Sequence, residues 1–360
     1  YLRFGPLEPV RALSAYLPFE VASAIRPEIM PVVSISAPPP PARQLTYPRP
    51  LWEQDSSRHA VLELVAELKA NDAGRHQVNS NRLNHLATGG DFIAAVDLAS
   101  RHVVIFTPDL KIQRKWPMTA GLATSMQAPL TLAARNDEVA AIDKDGTLAW
   151  WDRHGKRQGS FSLDGVFYDL ALLGNGDFLV HQTRPFPYTL AIYGRDGRKK
   201  KQFGALTSDE PKAAPLLHQG FIATGRAGKA ALALINPYKI FFFSRQGTSV
   251  QAVEITPEFQ VFEPFAEQLG ENRWRVLRQR VVYDVAWHRD LLHVLVSSDP
   301  ERAASWLEIF SPEGEFLQRF YLTMRAIQLT FWNDDLILLG YDPRLKLQRF
   351  RIEKIHRQRE

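Results

Sequence analysis

The sequence contains no cysteine among its 360 residues. That absence excludes disulfide staples, thiolate catalysis, and cysteine-held zinc or iron–sulfur centres. Long apolar runs are missing too. No stretch reaches the roughly 20 residues that a helix needs to cross a bilayer. The usual catalytic signatures are also absent: no G-x-S-x-G, no phosphate-binding G-x-x-x-x-G-K-[ST], no G-x-G-x-x-G behind a strand. Ten histidines are present, but none stands in an H-E-x-x-H or H-x-x-x-H spacing. His85, His181, His218 and His288 can point inward, yet His85 and His288 occupy unlike positions in their strands. Ordinary core or surface histidines explain them. These absences favour binding over catalysis.

Charge is close to balance, with 44 Lys and Arg against 39 Asp and Glu and a net charge of +5. Acidic and basic residues alternate, which does not make a nucleic-acid groove. The one dense basic run, Arg198-Lys199-Lys200-Lys201, follows a turn and reads as a hairpin edge blunted by lysines. The expected partners are therefore other protein subunits, not nucleic acid, with peripheral membrane contact left open. The chain begins at Tyr1, which fits removal of a leader and an exported, periplasmic or extracellular protein. A cytoplasmic protein whose start lies upstream fits the same fact.

Proline is the first thing present in excess. Eleven of the 24 prolines fall in residues 1–50, including the run Pro38-Pro39-Pro40-Pro41. Proline lacks the amide donor and fixes φ, so this segment favours an extended polyproline II form over helix or central strand. The apolar residues between the prolines (Leu13, Tyr16, Leu17, Phe19, Ile25 and Ile29) are too many for an inert spacer. They read as docking residues of an arm that lies along a partner or along the protein's own surface; the bland reading is a plain disordered linker. Residues 57–70, SRHAVLELVAELKA, carry Val61, Leu62, Leu64, Val65 and Leu68 at a 3.6-residue period and predict one short amphipathic helix.

From about residue 78 the pattern shortens to β-runs broken by turns, and it repeats. VFYDLALLGNGDFLVHQ (166–182) matches VVYDVAWHRDLLHVLVS (281–297), and AIQLTFWNDDLILLGYD (326–342) fits both. The following hairpins match as well, among them LAWWDRHGKRQGSF (148–161) and IFFFSRQGTSVQAV (240–253). Their anchor aromatics Phe106, Trp151, Tyr193, Phe243, Phe310 and Phe350 are spaced by 45, 42, 50, 67 and 40 residues. Four strands every 40–50 residues is the pattern of a propeller, because one such sheet cannot bury both faces alone. The wide fourth interval implies an insertion at about 256–280. The sixth repeat stops after LKLQRFRI (345–352) with no outermost strand of its own. Ring closure then needs a strand from the N-terminal side, expected within 41–56 or 76–82.

The repeats LEIFSPEGEFLQRF (307–320) and LAIYGRDGRKKKQFG (190–204) resemble those of NHL-repeat and related six-bladed propellers over about 270 residues. The resemblance implies an all-β, six-bladed β-propeller at 76–360, and the residue pattern sets ahead of it the extended arm (1–56) and the short N-terminal helix (57–75). It implies no single function, since that fold serves scaffolds, binders and enzymes alike. In such propellers the innermost strands line a central channel. Aligning the repeats puts Asn84, Thr131, Asp169, Pro215, Asp284 and Gln328 at one equivalent, channel-lining position. Asn84, Asp169, Asp284 and Gln328 together could hold calcium or another divalent cation, as in a lactonase-like hydrolase or lyase. Alternatively, they solvate a wet channel or accept hydrogen bonds from the next blade's backbone. The leading expectation needs no cofactor: a non-enzymatic scaffold docked into a larger assembly through its N-terminal arm.

Overall fold

A computed structural model describes residues 41–45, 60–68, 83–118, 126, 129–182, 188–205, 217–225, 228–257, 259–270, 273–297, 304–342 and 344–354. Two strands lie ahead of the repeats, β1 (Arg43–Leu45) and β2 (Ala60–Leu68). The first meander is β3 (Leu83–Thr88), β4 (Ile93–Asp97), β5 (His102–Phe106) and β6 (Ile112–Pro117). The second is β7 (Pro129–Arg135), β8 (Glu138–Asp143), β9 (Thr147–Asp152) and β10 (Arg157–Ser162). The third is β11 (Phe167–Leu172), β12 (Phe178–Gln182), β13 (Tyr188–Tyr193) and β14 (Lys199–Ala205). The fourth is β15 (Gly220–Thr224), β16 (Ala230–Leu234), β17 (Lys239–Phe243) and β18 (Ser249–Ile255). A separate hairpin follows, β19 (Phe265–Gly270) and β20 (Arg273–Leu277). The chain then continues through β21 (Val282–His288), β22 (Leu291–Ser297), β23 (Ala304–Phe310), β24 (Phe316–Trp332), β25 (Asp335–Asp342) and β26 (Arg344–Lys354).

Each of the first four meanders forms its own sheet, and β1 adds a fifth, parallel strand to the outer edge of the fourth. The remaining strands do not separate in the same way. They form one seven-stranded sheet in the order β2-β26-β25-β24-β23-β22-β21. The cause is β24, which is 17 residues long. Its first part pairs with β23 and its second with β25. The first strands of the repeats neighbour one another in the order β3, β7, β11, β15, β21, β24 and back to β3. Between each successive pair of meanders lies a buried apolar cluster, such as Val139, Ala141 and Trp151 against Phe92, Ile105 and Trp116. This closed circuit of stacked antiparallel sheets is a β-propeller.

The repeat motif has a physical origin in that stacking. All six anchor aromatics are buried, at corresponding points of β5, β9, β13, β17, β23 and β26. The glycine of the motif has a second partner. Gly197, in the β13–β14 turn, has φ +77 and sits where a Cβ would come 3.0 Å from the Phe161 ring on the preceding outermost strand. Gly247 meets Phe203 in the same way, at φ +74. A turn glycine and the closing aromatic of the previous repeat therefore select each other: the turn needs a left-handed residue, and the aromatic needs a gap.

The N-terminal side of the chain departs from expectation. Residues 60–68 are not helix but strand β2, antiparallel to β26, with Leu62 opposite Ile352 and Leu68 opposite Leu347. Leu62, Ala66 and Leu68 face the apolar clusters, and a bulge between Leu64 and Ala66 resets the alternation. A bulged strand and a helix give nearly the same apolar pattern over nine residues, and the free edge of β26 decides between them. Closure by a strand from the N-terminal side is thus the rule followed, but the donor is neither 41–56 nor 76–82. Residues 43–45 pair instead with β18 in the fourth sheet. The lysine run is where the edge reading put it, in the outermost strand β14, and Lys200 Nζ lies 2.8 Å from Asp177 Oδ1. No helix among the described residues is long and apolar enough to cross a membrane. The arm residues Leu13, Tyr16, Leu17, Phe19, Ile25 and Ile29 lie outside the described residues.

Candidate functional site: the inner strands and the mouth of the channel

The aligned polar position does lie on the innermost strands, and its side chains have a common task. Asp169 on β11 accepts from the Ile222 amide on β15 at 2.7 Å. Asp284 on β21 accepts from the Leu329 amide on β24 at 2.8 Å. Gln328 on β24 accepts from the Leu86 amide on β3 at 3.0 Å. Thr131 on β7 donates to Asp169 Oδ1 at 2.8 Å. Each of these reaches from one inner strand to the next. Asn84 alone turns back, accepting from its neighbour His85 N at 3.0 Å. Pro215 lies outside the described residues, and the fourth meander starts at Gly220.

These bonds bear on the divalent-cation expectation. Asp169 also accepts from the Leu170 amide at 2.9 Å, and Asp284 from the Val285 amide at 2.9 Å. Both oxygens of both carboxylates are therefore turned to donors of the protein. The described residues contain no group of three or more histidine, cysteine, aspartate or glutamate side chains placed to hold a metal ion. With their oxygens given to amides, Asn84, Asp169, Asp284 and Gln328 do not fit a cation cage.

The acids are unusual in another respect. Burial raises Asp169 to about 6 against the help of its three donors. Burial, and then the nearby Asp169 charge, raises Asp284 to about 8. An acid with a raised native pKa holds its proton in the fold after the unfolded chain has lost it, so stability falls as pH climbs from about 4 towards 8. Buried His181 and His293 act in the opposite sense. Desolvation lowers them to about 4 and about 3, so they favour the fold as pH rises to about 6.5. Between about pH 6.5 and 8 the acid effect stands alone. Over that window we expect the wild type to lose roughly 2 kcal/mol of stability. Asp284→Asn, which restores the amide found at Asn84, should flatten the curve. Thermal melts from pH 6.5 to 8.5 test this, and parallel pH profiles for the two proteins would refute it.

The two arginines at the channel mouth were not among the residues singled out by the repeats. Arg278 and Arg280 lie in the extended segment that runs from β20 into β21. The Arg280 guanidinium is 5.1 Å from the Phe221 ring on β15 and 4.5 Å from the Tyr283 ring on β21. Its Nη2 donates to the Tyr283 carbonyl at 3.0 Å and its Nε to the Val282 carbonyl at 3.4 Å. Arg278 is half-buried and Arg280 exposed, each with protein packed around it. This enclosure lowers the pKa of both, Arg278 to about 10. The R-x-R spacing just before VVYDVAW is the only signal of them in the sequence, and it is a weak one.

Fold and site together define a β-propeller whose inner strands are latched by side-chain-to-backbone bonds. The WD40 repeats of RRP9 are a similar solved structure, with a TM-score of 0.50 and 10% identity, covering 81% of this chain and 100% of that one. BamB from Moraxella catarrhalis is another, with a TM-score of 0.46 and 11% identity, covering 83% of this chain and 100% of that one. At such identity the likeness concerns the fold alone. No protein-family model matches the chain, and no curated protein matches it either.

Proposed function

We propose that the protein is a non-enzymatic, protein-binding scaffold: a six-bladed, NHL-like propeller, exported from the cytoplasm and docked into a larger assembly. In this reading β24 is both the last strand of the fifth blade and the first of the sixth, and β2 completes the sixth. The circuit of inner strands supports that count, as do the six apolar clusters found among the described residues. Asn84, Thr131, Asp169, Asp284 and Gln328 line the channel, and all but Asn84 hold adjacent blades in register. Leu13, Tyr16, Leu17, Phe19, Ile25 and Ile29 are the docking residues of the arm.

One observation carries the binding role. All first strands start on one face, which also bears the turns between second and third strands and the connections between sheets. Of the nine large hydrophobics exposed among the described residues, Leu98 sits in a turn between a second and a third strand, Tyr341 at the end of a second strand, and Phe262, Phe265 and Leu269 in the connection between the fourth sheet and β21. Phe262 is held there by its backbone. Its carbonyl accepts from Asn236 Nδ2 at 3.2 Å and its amide donates to Gln279 Oε1 at 2.9 Å, while the residue stays 45% exposed. Anchored, exposed aromatics on one face are what a protein interface requires.

The test is co-purification from the native host after cross-linking. Deleting residues 1–40, or combining Phe262→Ser with Phe265→Ser, should each reduce recovery of the partner by roughly tenfold. Circular dichroism and the melting temperature should not change. Undiminished recovery with both variants would sink docking through the arm and through this face, and no partner recovered by the wild type would sink the scaffold reading itself.

A further inference from the structure

The channel mouth on this apolar face carries a feature that the scaffold role alone does not require. Arg280 stands between the inner strands of the fourth and fifth meanders, stacked near Phe221 and Tyr283. Its hydrogen bonds go to two carbonyl oxygens, and it makes no ion pair among the described residues. Arg278 lies two residues earlier in the same extended segment. Two arginines are thus carried by one short segment just before β21, with the Phe262 amide bonded to Gln279 between them and Phe265 opposite Leu277.

We infer that Arg278 and Arg280 form a recognition site for a carboxylate-bearing segment of a protein partner, entering the channel mouth with its apolar residues against Phe262 and Phe265. The inference rests on the scaffold reading and names the chemistry of its partner. Charge complementarity supports it. A guanidinium offers a planar fork of donors that matches a carboxylate. The nearby acids do not cancel it. Burial holds Asp284 protonated at neutral pH, and the Asp169 carboxylate is occupied by three donors. Aromatic rings beside the guanidinium restrict its motion, which lowers the entropy lost on binding.

The probe is a blocked hexapeptide of alternating glutamate and phenylalanine, titrated calorimetrically into the full chain. Its glutamine–phenylalanine counterpart and inorganic phosphate are titrated in parallel. The acidic peptide should bind at least about tenfold more tightly than the glutamine peptide, and affinity should fall as salt rises. The double variant Arg278→Gln with Arg280→Gln should lose about tenfold or more of that affinity with no change in melting temperature, and lysine at both positions should restore part of it. Equal binding of the two peptides, or full binding by the double variant, overturns the inference. Displacement of the peptide by phosphate at equal concentration would also overturn it, since the site would then be a general oxyanion site. Co-purification separates the two levels of the reading. A native partner recovered equally with wild type and double variant leaves the scaffold standing and removes the acidic segment. If the wild type recovers no partner, the scaffold itself fails.

Discussion

A chain starting at Lys69 should fail to form the native monomer, whereas a chain starting at His59 should keep it. The difference between the two is strand β2. Without it, β26 presents a bare edge eleven residues long beside the seam where the last repeat meets the first. That seam contains Leu68 together with Leu83, Leu86, Ile93 and Val104 from the first meander and Ile337, Leu339, Leu345 and Leu347 from the last. Loss of β2 removes an eight-residue ladder register and uncovers part of this cluster. An open apolar edge pairs with other chains, so aggregation or a domain-swapped oligomer is expected. Any monomer that remains should melt roughly 10 °C or more below the longer chain, at about 2–4 °C per kcal/mol. Size-exclusion chromatography and thermal melts of the two chains decide the matter. Equal behaviour would mean that β2 does not close the ring. At the inner strands the same seam is also tied by Thr88 Oγ1, which lies 2.9 Å from Thr330 Oγ1 and donates to the Phe331 carbonyl at 2.7 Å.

Removing the carboxylate of Glu308 should be the most damaging single substitution. Glu308, on β23, has no solvent exposure. Arg319 on β24 donates to its Oε1 from Nε at 3.0 Å and from Nη2 at 2.8 Å. Tyr238, at the foot of β17, donates its hydroxyl to Oε2 at 2.7 Å. The Arg319 guanidinium also stacks 3.9 Å from the Trp306 ring. The network ties the fourth sheet to the next repeat inside the apolar cluster that holds Tyr238, Phe242 and Phe310. Glu308→Ala leaves a buried guanidinium with its carboxylate partner gone, at a cost of about 3–5 kcal/mol. Tyr238→Phe removes a single charge-assisted bond and should cost about 1–3 kcal/mol. Urea melts of the two variants test this ordering. A loss below about 1 kcal/mol for Glu308→Ala would show that the buried pair contributes little to the fold.

Neither Glu308 nor Arg319 stood out in the sequence, although both lie within LEIFSPEGEFLQRF. The reason is that the motif reports local geometry. Alternating aromatics mark the third strand, the glycine marks the left-handed turn, and the final aromatic fills the gap that the next repeat's glycine leaves. A charge on the same strand reads as solvent-facing unless its partner across the sheet boundary is known. The channel position shows the same limit. Alignment of VFYDLAL with VVYDVAW placed Asp169 and Asp284 together on the inner strands. Whether they hold a cation or latch backbone amides depends on the stagger between neighbouring strands. That stagger puts Ile222 N and Leu329 N within 3 Å of them. Arg278 and Arg280 lie in the one connection that has no counterpart in the other repeats, so comparison of repeats could not reveal them.

By itself the sequence determined what is periodic and local: the meander of four strands, the buried aromatic of each third strand, the turn glycines, and the need for a borrowed strand to complete the last repeat. These follow from side-chain alternation and backbone sterics, which act over a few residues. Only the tertiary structure decided which segment is borrowed. Residues 60–68 suit a helix and a bulged strand about equally, and the difference lies in the unpaired edge of β26, nearly 300 residues away in the chain. Tertiary structure likewise merged the last two meanders through β24 and turned the channel acids from candidate ligands into latches. Each of those outcomes depends on where distant strands meet, and closure of the ring fixes that.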